Sequence, residues 1–211
     1  MNPQLIFPKP YYEHVTESAN RFGISPEFIY SIMRQESAFD PRARSHMDAF
    51  GLMQLIPKVA QKSAEAFNIR FEKPEDLYDP QTSISLGAAH LRHLWDKYSG
   101  QLILATASYN ANEKAITGWL KTRYRGDTLE FIEDIPYEET RNYIKLVLRN
   151  LVFYQVVNSS EKVVSFPEWA LNLGAWNLNQ QLEGSGRMDF FFFSCNFAVW
   201  EEFSHSYLCS E

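Results

Sequence analysis

The chain has 211 residues, of which 45% are hydrophobic, and its net charge is −6. This length can bury a sizeable core, and 16 Phe, 11 Tyr and 5 Trp exclude a disordered or low-complexity protein. The acidic balance and the lack of a Lys/Arg cluster argue against nucleic acid as a partner.

The N-terminal segment, MNPQLIFPKP, does not have the pattern of a secretory signal peptide. It has no basic start followed by an apolar run, and no small-residue cleavage site. No later stretch approaches the roughly 20 apolar residues of a membrane-spanning helix, and the nearest candidate, residues 188–200, is short and interrupted by Asp189. We therefore expect no integral membrane segment, and the sequence leaves export of this chain unexplained.

Residues 1–157 are predicted to form a run of helices. Ser25-Pro26-Glu27 is a helix start in which Ser25 can cap the first turn, and Asp79-Pro80 repeats this signal. Apolar residues at helical spacing predict helices over residues 26–38, from Pro80 to Gly100, over 102–111, over 113–121, and after Pro136 as far as Tyr154. Because strand-like alternation is scarce, the predicted fold class is all-α.

Residues 158–211 form a C-terminal extension of unknown role. We expect irregular structure with short helical pieces over 158–187, where Ser, Gly and Asn are frequent. The run Phe190–Phe193 can pack on the domain or pair with another chain, so it is a candidate surface for a protein partner. Cys195 and Cys209 can form one disulfide or none.

Glu36 is the candidate catalytic residue. Ile29, Ile32 and Met33 precede it by seven, four and three positions, so Glu36 lies on the apolar face of its helix. Removal from water favours the protonated carboxyl group, which is how a general acid is prepared for neutral pH. The alternative is an ion pair with Arg34 or Arg44, and the spacing alone leaves both interpretations open.

Several motifs together resemble the soluble lytic transglycosylases, bacterial enzymes with a goose-type-lysozyme-like helical domain. The resemblance runs in order from about Pro8 to Tyr154. The matching motifs are QESAFDP from Gln35, Ser45, GLMQLIP from Gly51, YDP from Tyr78, Gly87, SYNA from Ser108, Trp119, EDIPY from Glu133 and ETRNY from Glu139.

The resemblance implies that Glu36 cleaves the bond between N-acetylmuramic acid and N-acetylglucosamine in the glycan strands of peptidoglycan. Glu36 would donate a proton to the glycosidic oxygen and then take one from the C6 hydroxyl, leaving a 1,6-anhydro end. The family needs no metal or other cofactor, and the five His here form no ligand pattern. Asp40 follows the helix as a turn-capping residue and is left out of the catalytic set. The implied location is the periplasm or cell envelope.

The same resemblance implies four substrate-binding residues, and Met53 joins them as a fifth candidate. Ser45 matches a serine that holds the C2 substituents of the sugar, although it can be an ordinary loop hydroxyl. Gln54 matches an amide that lines the cleft. Met53 is expected to pack beside the cleft, although core packing is the commoner fate for such a residue. Tyr109 matches a tyrosine that contacts the catalytic carboxylate, although it can be a core residue. Glu133 matches an acid of the cleft, or it stabilises the start of the next helix.

Two residues depart from the family pattern, which has Gly at both positions. Asp48 tolerates a positive φ and could raise the pKa of Glu36 further. Asn112 is the next-best residue for a left-handed position after a helix. The chain also lacks the long helical region that precedes this domain in relatives, so it is an isolated domain, a fragment or a truncated paralogue. A lysozyme-type hydrolase and a non-catalytic glycan-binding protein are the alternative functions.

Overall fold

The computed structural model describes residues 6–158 and Leu173. These residues belong to the first of two units into which the chain divides, Met1–Trp176. The predicted extension over 158–211, with its Phe-rich segment and both cysteines, lies outside the described residues except for Asn158 and Leu173. Its boundary, its structure and its partner therefore stay predictions.

The described residues form an all-α fold, as predicted. The helices are α1 (Tyr12–Phe22), α2 (Pro26–Ser37), α3 (Pro57–Phe67), a 3₁₀ helix (Pro74–Tyr78), α4 (Pro80–Lys97), α5 (Leu102–Asn110), α6 (Glu113–Arg123), α7 (Thr128–Asp134) and α8 (Glu138–Asn158). Within residues 6–158, β-type pairing is limited to isolated bridges at Phe50. Among the described helices, none has the length and apolar character needed to cross a membrane.

Two of the predicted helix starts carry side-chain caps. Ser25 Oγ accepts a hydrogen bond from Phe28 N (3.2 Å), and Asp79 Oδ2 accepts one from Thr82 N (2.8 Å), so both predicted caps are confirmed. By contrast, the residues before α1 and α3 are Tyr11 and Ile56, whose side chains make no capping bond. Neither these two helices nor α7 was predicted individually, although Asp127 Oδ1 caps α7 by accepting a hydrogen bond from Glu130 N (2.8 Å).

Helices α2 and α8 pack against each other and run antiparallel. Tyr30, in the first half of α2, stacks on Tyr154 near the end of α8, with ring centroids 5.3 Å apart. Glu36, at the other end of α2, contacts Tyr143 near the start of α8. Between these two contacts, the buried face of α2, which includes Ile32, forms part of the hydrophobic core. This pairing fixes the end of α2 against the start of α8.

A loop over residues 39–56, called here the site loop, folds back on the end of α2. Phe50 and Leu55 exchange two backbone hydrogen bonds of 3.0 and 3.2 Å. Ser37 Oγ, at the end of α2, donates to Leu52 O (2.8 Å). Gly51 has a φ of +72°, and a Cβ there would lie 1.8 Å from Leu77 O, so the close backbone approach requires glycine. The site loop is therefore held to the end of α2 by a hydrogen bond, and it packs closely on the 3₁₀ helix that contains Leu77.

Candidate active site

Glu36 lies in the last turn of α2 with its side chain partly buried. Tyr143 Oη donates a hydrogen bond to Glu36 Oε1 (2.5 Å). Of the two arginines considered as ion-pair partners, Arg44 pairs with Asp48 (2.6 Å), and Arg34 Nη1 donates to a backbone carbonyl oxygen. Among the described residues no ion pair includes Glu36. The carboxyl group therefore has a neutral partner in place of an arginine.

Burial raises the pKa of Glu36 from its ordinary value of 4.5 to about 7. The hydrogen bond from Tyr143 opposes this rise because it stabilises the ionised form, and the negative charge of Glu139 adds to it. Near neutral pH both protonation states are therefore populated. A group in that condition can give up a proton and take one back at the same pH.

The phenol that contacts the carboxyl group is Tyr143, whereas the resemblance had pointed to Tyr109. Tyr109 Oη donates instead to Met53 O (2.9 Å). Tyr109 still lies close enough for the charge of Glu36 to raise its pKa, although burial is the larger cause. Burial also raises the pKa of Tyr143 well above its usual range. Both phenols therefore stay protonated and remain donors at neutral pH.

The acid whose charge acts on Glu36 is Glu139, in the first turn of α8. Its Oε1 accepts a long hydrogen bond from Asn110 Nδ2 (3.4 Å), and Thr140 Oγ1 donates to Asn110 Oδ1 (2.7 Å). Glu133, which the resemblance placed in the cleft, is exposed and pairs with Lys145 (2.5 Å). Its charge is thus paired with Lys145, and among the described residues no hydrogen bond or ion pair joins Glu133 to Glu36.

Tyr143 and Glu139 are the residues acting on Glu36 that sequence reasoning missed. Both lie in the ETRNY motif, which was quoted only as part of the resemblance. Tyr143 was interpreted as one residue of an apolar helical stripe, because its partner lies 107 residues earlier in the chain. The signal that could have found it is a tyrosine on the apolar face of a helix that packs against the helix of the candidate acid.

Ser45 and Gln54 hold the site loop in shape. Ser45 Oγ accepts hydrogen bonds from Met47 N (3.2 Å) and Ala49 N (3.1 Å), which leaves its hydroxyl proton for a ligand. Gln54 Nε2 donates to Ala43 O (3.1 Å) and to Gly51 O (2.9 Å), which leaves Oε1 as an acceptor. Each side chain is partly exposed. Each therefore combines a structural task with one free polar group.

Met53 does not offer its side chain to a ligand, contrary to its place among the predicted binding residues. The side chain is fully buried, and a Cβ at Gly87 would lie 2.6 Å from Met53 Cγ. Its carbonyl oxygen accepts the hydrogen bond from Tyr109 described above. Met53 therefore acts through its backbone, by positioning Tyr109, because its side chain fills the space that Gly87 leaves in the core.

Asp48 and Asn112 take different roles from those expected. Asp48 has a φ of 57°, as predicted, but its charge is paired with Arg44, and the charge that raises the pKa of Glu36 is that of Glu139. Asn112 has φ 151° and ψ 159°, an extended conformation that is essentially restricted to glycine and is not left-handed helical. Its Oδ1 accepts from Ala115 N (2.9 Å) and so caps α6.

Asp40 behaves as expected of a turn residue. It is exposed, and its Oδ1 accepts a hydrogen bond from Arg42 N (2.9 Å) two residues later. The ring of His90 lies 5.2 Å from that of Tyr109. Burial lowers the pKa of His90 to about 4, so this imidazole is neutral at physiological pH.

Sequence comparison shows which known proteins this chain is similar to. The model of the transglycosylase SLT domain family matches residues 13–132. A Haemophilus influenzae protein provisionally named a soluble lytic murein transglycosylase is 37% identical over 170 residues, or 80% of this chain and 28% of the relative. The soluble lytic murein transglycosylase of Salmonella typhimurium is 34% identical over 166 residues, or 77% of this chain and 26% of the relative.

Solved structures give the same result. The lytic transglycosylase Slt of Pseudomonas aeruginosa, studied as an inactive mutant, matches with a TM-score of 0.70 and 34% identity, over 77% of this chain and 27% of that one. The 70 kDa soluble lytic transglycosylase of Escherichia coli matches with a TM-score of 0.74 and 31% identity, over 81% of this chain and 28% of that one. The chain thus spans little more than a quarter of the length of these relatives.

Proposed function

The chain belongs to the transglycosylase SLT domain family, and we propose that it is a peptidoglycan lytic transglycosylase in which Glu36 is the catalytic residue. The observation that carries this proposal is the state of the Glu36 carboxyl group. Its pKa of about 7 and its neutral partner Tyr143 suit a group that must be an acid in one step and a base in the next.

In the first step, protonated Glu36 donates its proton to the glycosidic oxygen between N-acetylmuramic acid and N-acetylglucosamine. The bond from the muramoyl C1 to that oxygen breaks, and positive charge develops at C1. In the second step, the Glu36 carboxylate removes the proton from the C6 hydroxyl, and O6 bonds to C1. The proton count returns to its starting value, no water is consumed, and the product is a 1,6-anhydro end.

The surrounding residues support this sequence of steps. Tyr143 orients the Glu36 carboxyl group through one short hydrogen bond, and Tyr109 is held beside it by the carbonyl of Met53. The free hydroxyl proton of Ser45 and the free Oε1 of Gln54 suit the amide and hydroxyl groups of an N-acetylated sugar. We assign Glu139 an electrostatic role on Glu36 and no covalent bond to the sugar, and we place the substrate in the cell envelope.

The test is a digest of purified peptidoglycan, with the released muropeptides identified by mass spectrometry. Wild-type protein is expected to release products one water lighter than hydrolysis gives. Glu36→Gln should lower the rate by about 10²- to 10⁴-fold, which is the usual contribution of an acid–base group. Glu113→Gln is the matched control, because Glu113 is also a partly buried helical glutamate but has the cationic partner Lys97.

Three results would replace the proposal. Reducing muramic acid ends would make the protein a lysozyme-type hydrolase of the same bond. Binding of glycan with no products from folded wild-type protein would favour a non-catalytic binding protein. Full activity in Glu36→Gln would remove Glu36 from the catalytic role.

A further inference from the structure

An aromatic pair stands at the surface beside the start of α8. Tyr137 is 58% exposed, and Trp119 of α6 is partly buried where it packs on the core around α5 and α7. Their ring centroids lie 4.9 Å apart with the planes at 80°. The two rings therefore form an open corner, in which one ring can present a face while the other closes one side.

The corner is held in place before any ligand arrives. Arg141 Nη1 donates to Ile135 O (2.6 Å), and Arg141 N donates to Tyr137 O (3.0 Å). Ile135 is itself fully buried, so the backbone that carries Tyr137 is anchored at both of these points. A ring on a fixed backbone loses little conformational entropy on binding, which favours its use as a contact for a ligand.

The corner is continuous with the candidate active site. Tyr137 precedes Glu139 by two residues, and Glu139 is the acid whose charge acts on Glu36. Asn110, which donates to Glu139, ends α5 two residues before the cap of α6, and α6 carries Trp119. Both rings are thus attached to the elements that position Glu139.

We propose that Trp119 and Tyr137 bind one pyranose ring of a β-1,4-linked N-acetylated glycan strand, at a position beyond the bond that Glu36 cleaves. A pyranose ring has a face of C–H groups, and the negative face of an aromatic ring attracts such a surface while the sugar hydroxyls stay in water. The proposal rests on the proposed function for the identity of the strand, but it concerns binding and not bond cleavage.

The surroundings favour a single sugar ring over a protein partner. Of the exposed large hydrophobic residues in the described part of the chain, Tyr137 is the one in the segment joining α7 to α8. Its neighbour Glu138 is exposed and charged, so the apolar surface is narrow. A narrow aromatic surface with polar flanks matches the size and the mixed polarity of one sugar residue.

The experiment measures binding without turnover. The Glu36→Gln protein is titrated with the β-1,4-linked tetramer of N-acetylglucosamine, by calorimetry and by tryptophan fluorescence. Adding Tyr137→Ala should weaken binding by roughly three- to tenfold, the range expected for one aromatic contact. Tyr137→Phe should keep the affinity, because the ring remains. Trp119→Phe should remove the fluorescence change that the tetramer causes.

Tyr12→Ala is the matched control, because Tyr12 is 60% exposed and lies at the start of α1. It should leave the affinity unchanged. Equal affinity in Tyr137→Ala, an equal loss in Tyr12→Ala, or no binding of the tetramer by the folded parent would each overturn the proposal. If wild-type protein releases no anhydro products but Tyr137→Ala still weakens binding, the proposed function fails and the sugar contact stands.

Discussion

Two glutamates on different helices show how partners decide the state of a carboxyl group. Glu36 and Glu113 are both partly buried, and burial raises the pKa of each. Glu113 accepts hydrogen bonds from Lys97 and His93, and their charges outweigh burial, so its pKa is lowered. Glu36 has only the neutral hydroxyl of Tyr143 and the like charge of Glu139, so its pKa stays raised. The two glutamates therefore differ in the charge of their partners, and Glu36 is also the more deeply buried of the two.

The helix dipoles shift the pKa values of these two glutamates in the same directions as their partners do. Glu113 is the first residue of α6, at the positive end of the helix dipole, where an ionised carboxylate is stabilised. Glu36 lies in the last turn of α2, at the negative end, where ionisation is disfavoured. The chain thus places one glutamate where it is held as a carboxylate, and the other where it can hold its proton at neutral pH.

The largest expected effect is on the pH dependence of stability. Glu36 has a pKa of about 7 when folded and 4.5 when unfolded, so its contribution is complete below pH 4.5 and is lost as the pH rises through 7. Glu36→Gln removes this loss. We expect the variant to exceed wild-type protein in unfolding free energy by up to about 3 kcal/mol at pH 8, with no such gain at pH 4. Urea unfolding between pH 4 and pH 8 measures the difference.

Glu113→Gln should show the opposite sign in the same measurement. Because the pKa of Glu113 is lowered, its contribution is present above the unfolded value and is lost as the pH falls through the folded one. The variant is therefore expected to be less stable than wild-type protein at pH 8, and equal to it in acid. If both variants changed stability alike at pH 8, the contrast between the two glutamates would be wrong.

Next in size are the effects of the two groups that act on Glu36. Tyr143→Phe removes a hydrogen bond that stabilises the carboxylate, so the pKa of Glu36 rises and the alkaline limb of kcat/KM moves to higher pH. Glu139→Gln removes a like charge, so that limb moves to lower pH. Tyr143→Phe should also lower kcat by roughly tenfold, the usual cost of one hydrogen bond to a charged group.

These opposite shifts are the informative part of the measurement. A purely structural role for either residue would lower the rate at every pH without moving the limb. Glu133→Gln provides a control, because Glu133 pairs with Lys145 at the surface and should leave the limb where it is. A shift in that variant would return Glu133 to the site.

The smallest expected effect concerns the cap of the helix that carries Glu113. Asn112→Gly removes a backbone strain of about 1 kcal/mol and loses only a few tenths of that from the cap, so it should stabilise the protein slightly. Asn112→Ala keeps the strain and loses the cap, and should destabilise it by about 1 kcal/mol. Thermal unfolding of both variants measures the difference. A small loss of stability in Asn112→Gly, in place of the expected gain, would mean that the backbone at Asn112 carries no strain.

The sequence predicted those features that depend on neighbours in the chain. The caps at Ser25 and Asp79 and the apolar face that carries Glu36 all follow from residues within two helical turns, and the structure has each of them. The family resemblance and the all-α, lysozyme-like fold are also confirmed, because several separate motifs occurred in the right order.

What could not be predicted depends on contacts between distant segments. Glu133 and Glu139 lie six residues apart around the same turn, and spacing does not say which of them faces Glu36. In the structure Glu133 pairs with Lys145, and Glu139 lies on α8, which packs on the helix that carries Glu36. At Asn112 the residue type indicates a positive φ. It does not say whether the backbone is left-handed helical, as expected, or extended, as the structure has it.

The hydrogen bond from Ser37 to Leu52 has a further consequence. It joins the end of the helix that carries Glu36 to the loop that carries Ser45 and Gln54. Amide hydrogen exchange should therefore show Phe50 and Leu55 opening together with the last turn of α2, as one cooperative unit. We therefore expect the Glu36 carboxyl group and the polar groups of Ser45 and Gln54 to be lost and regained together.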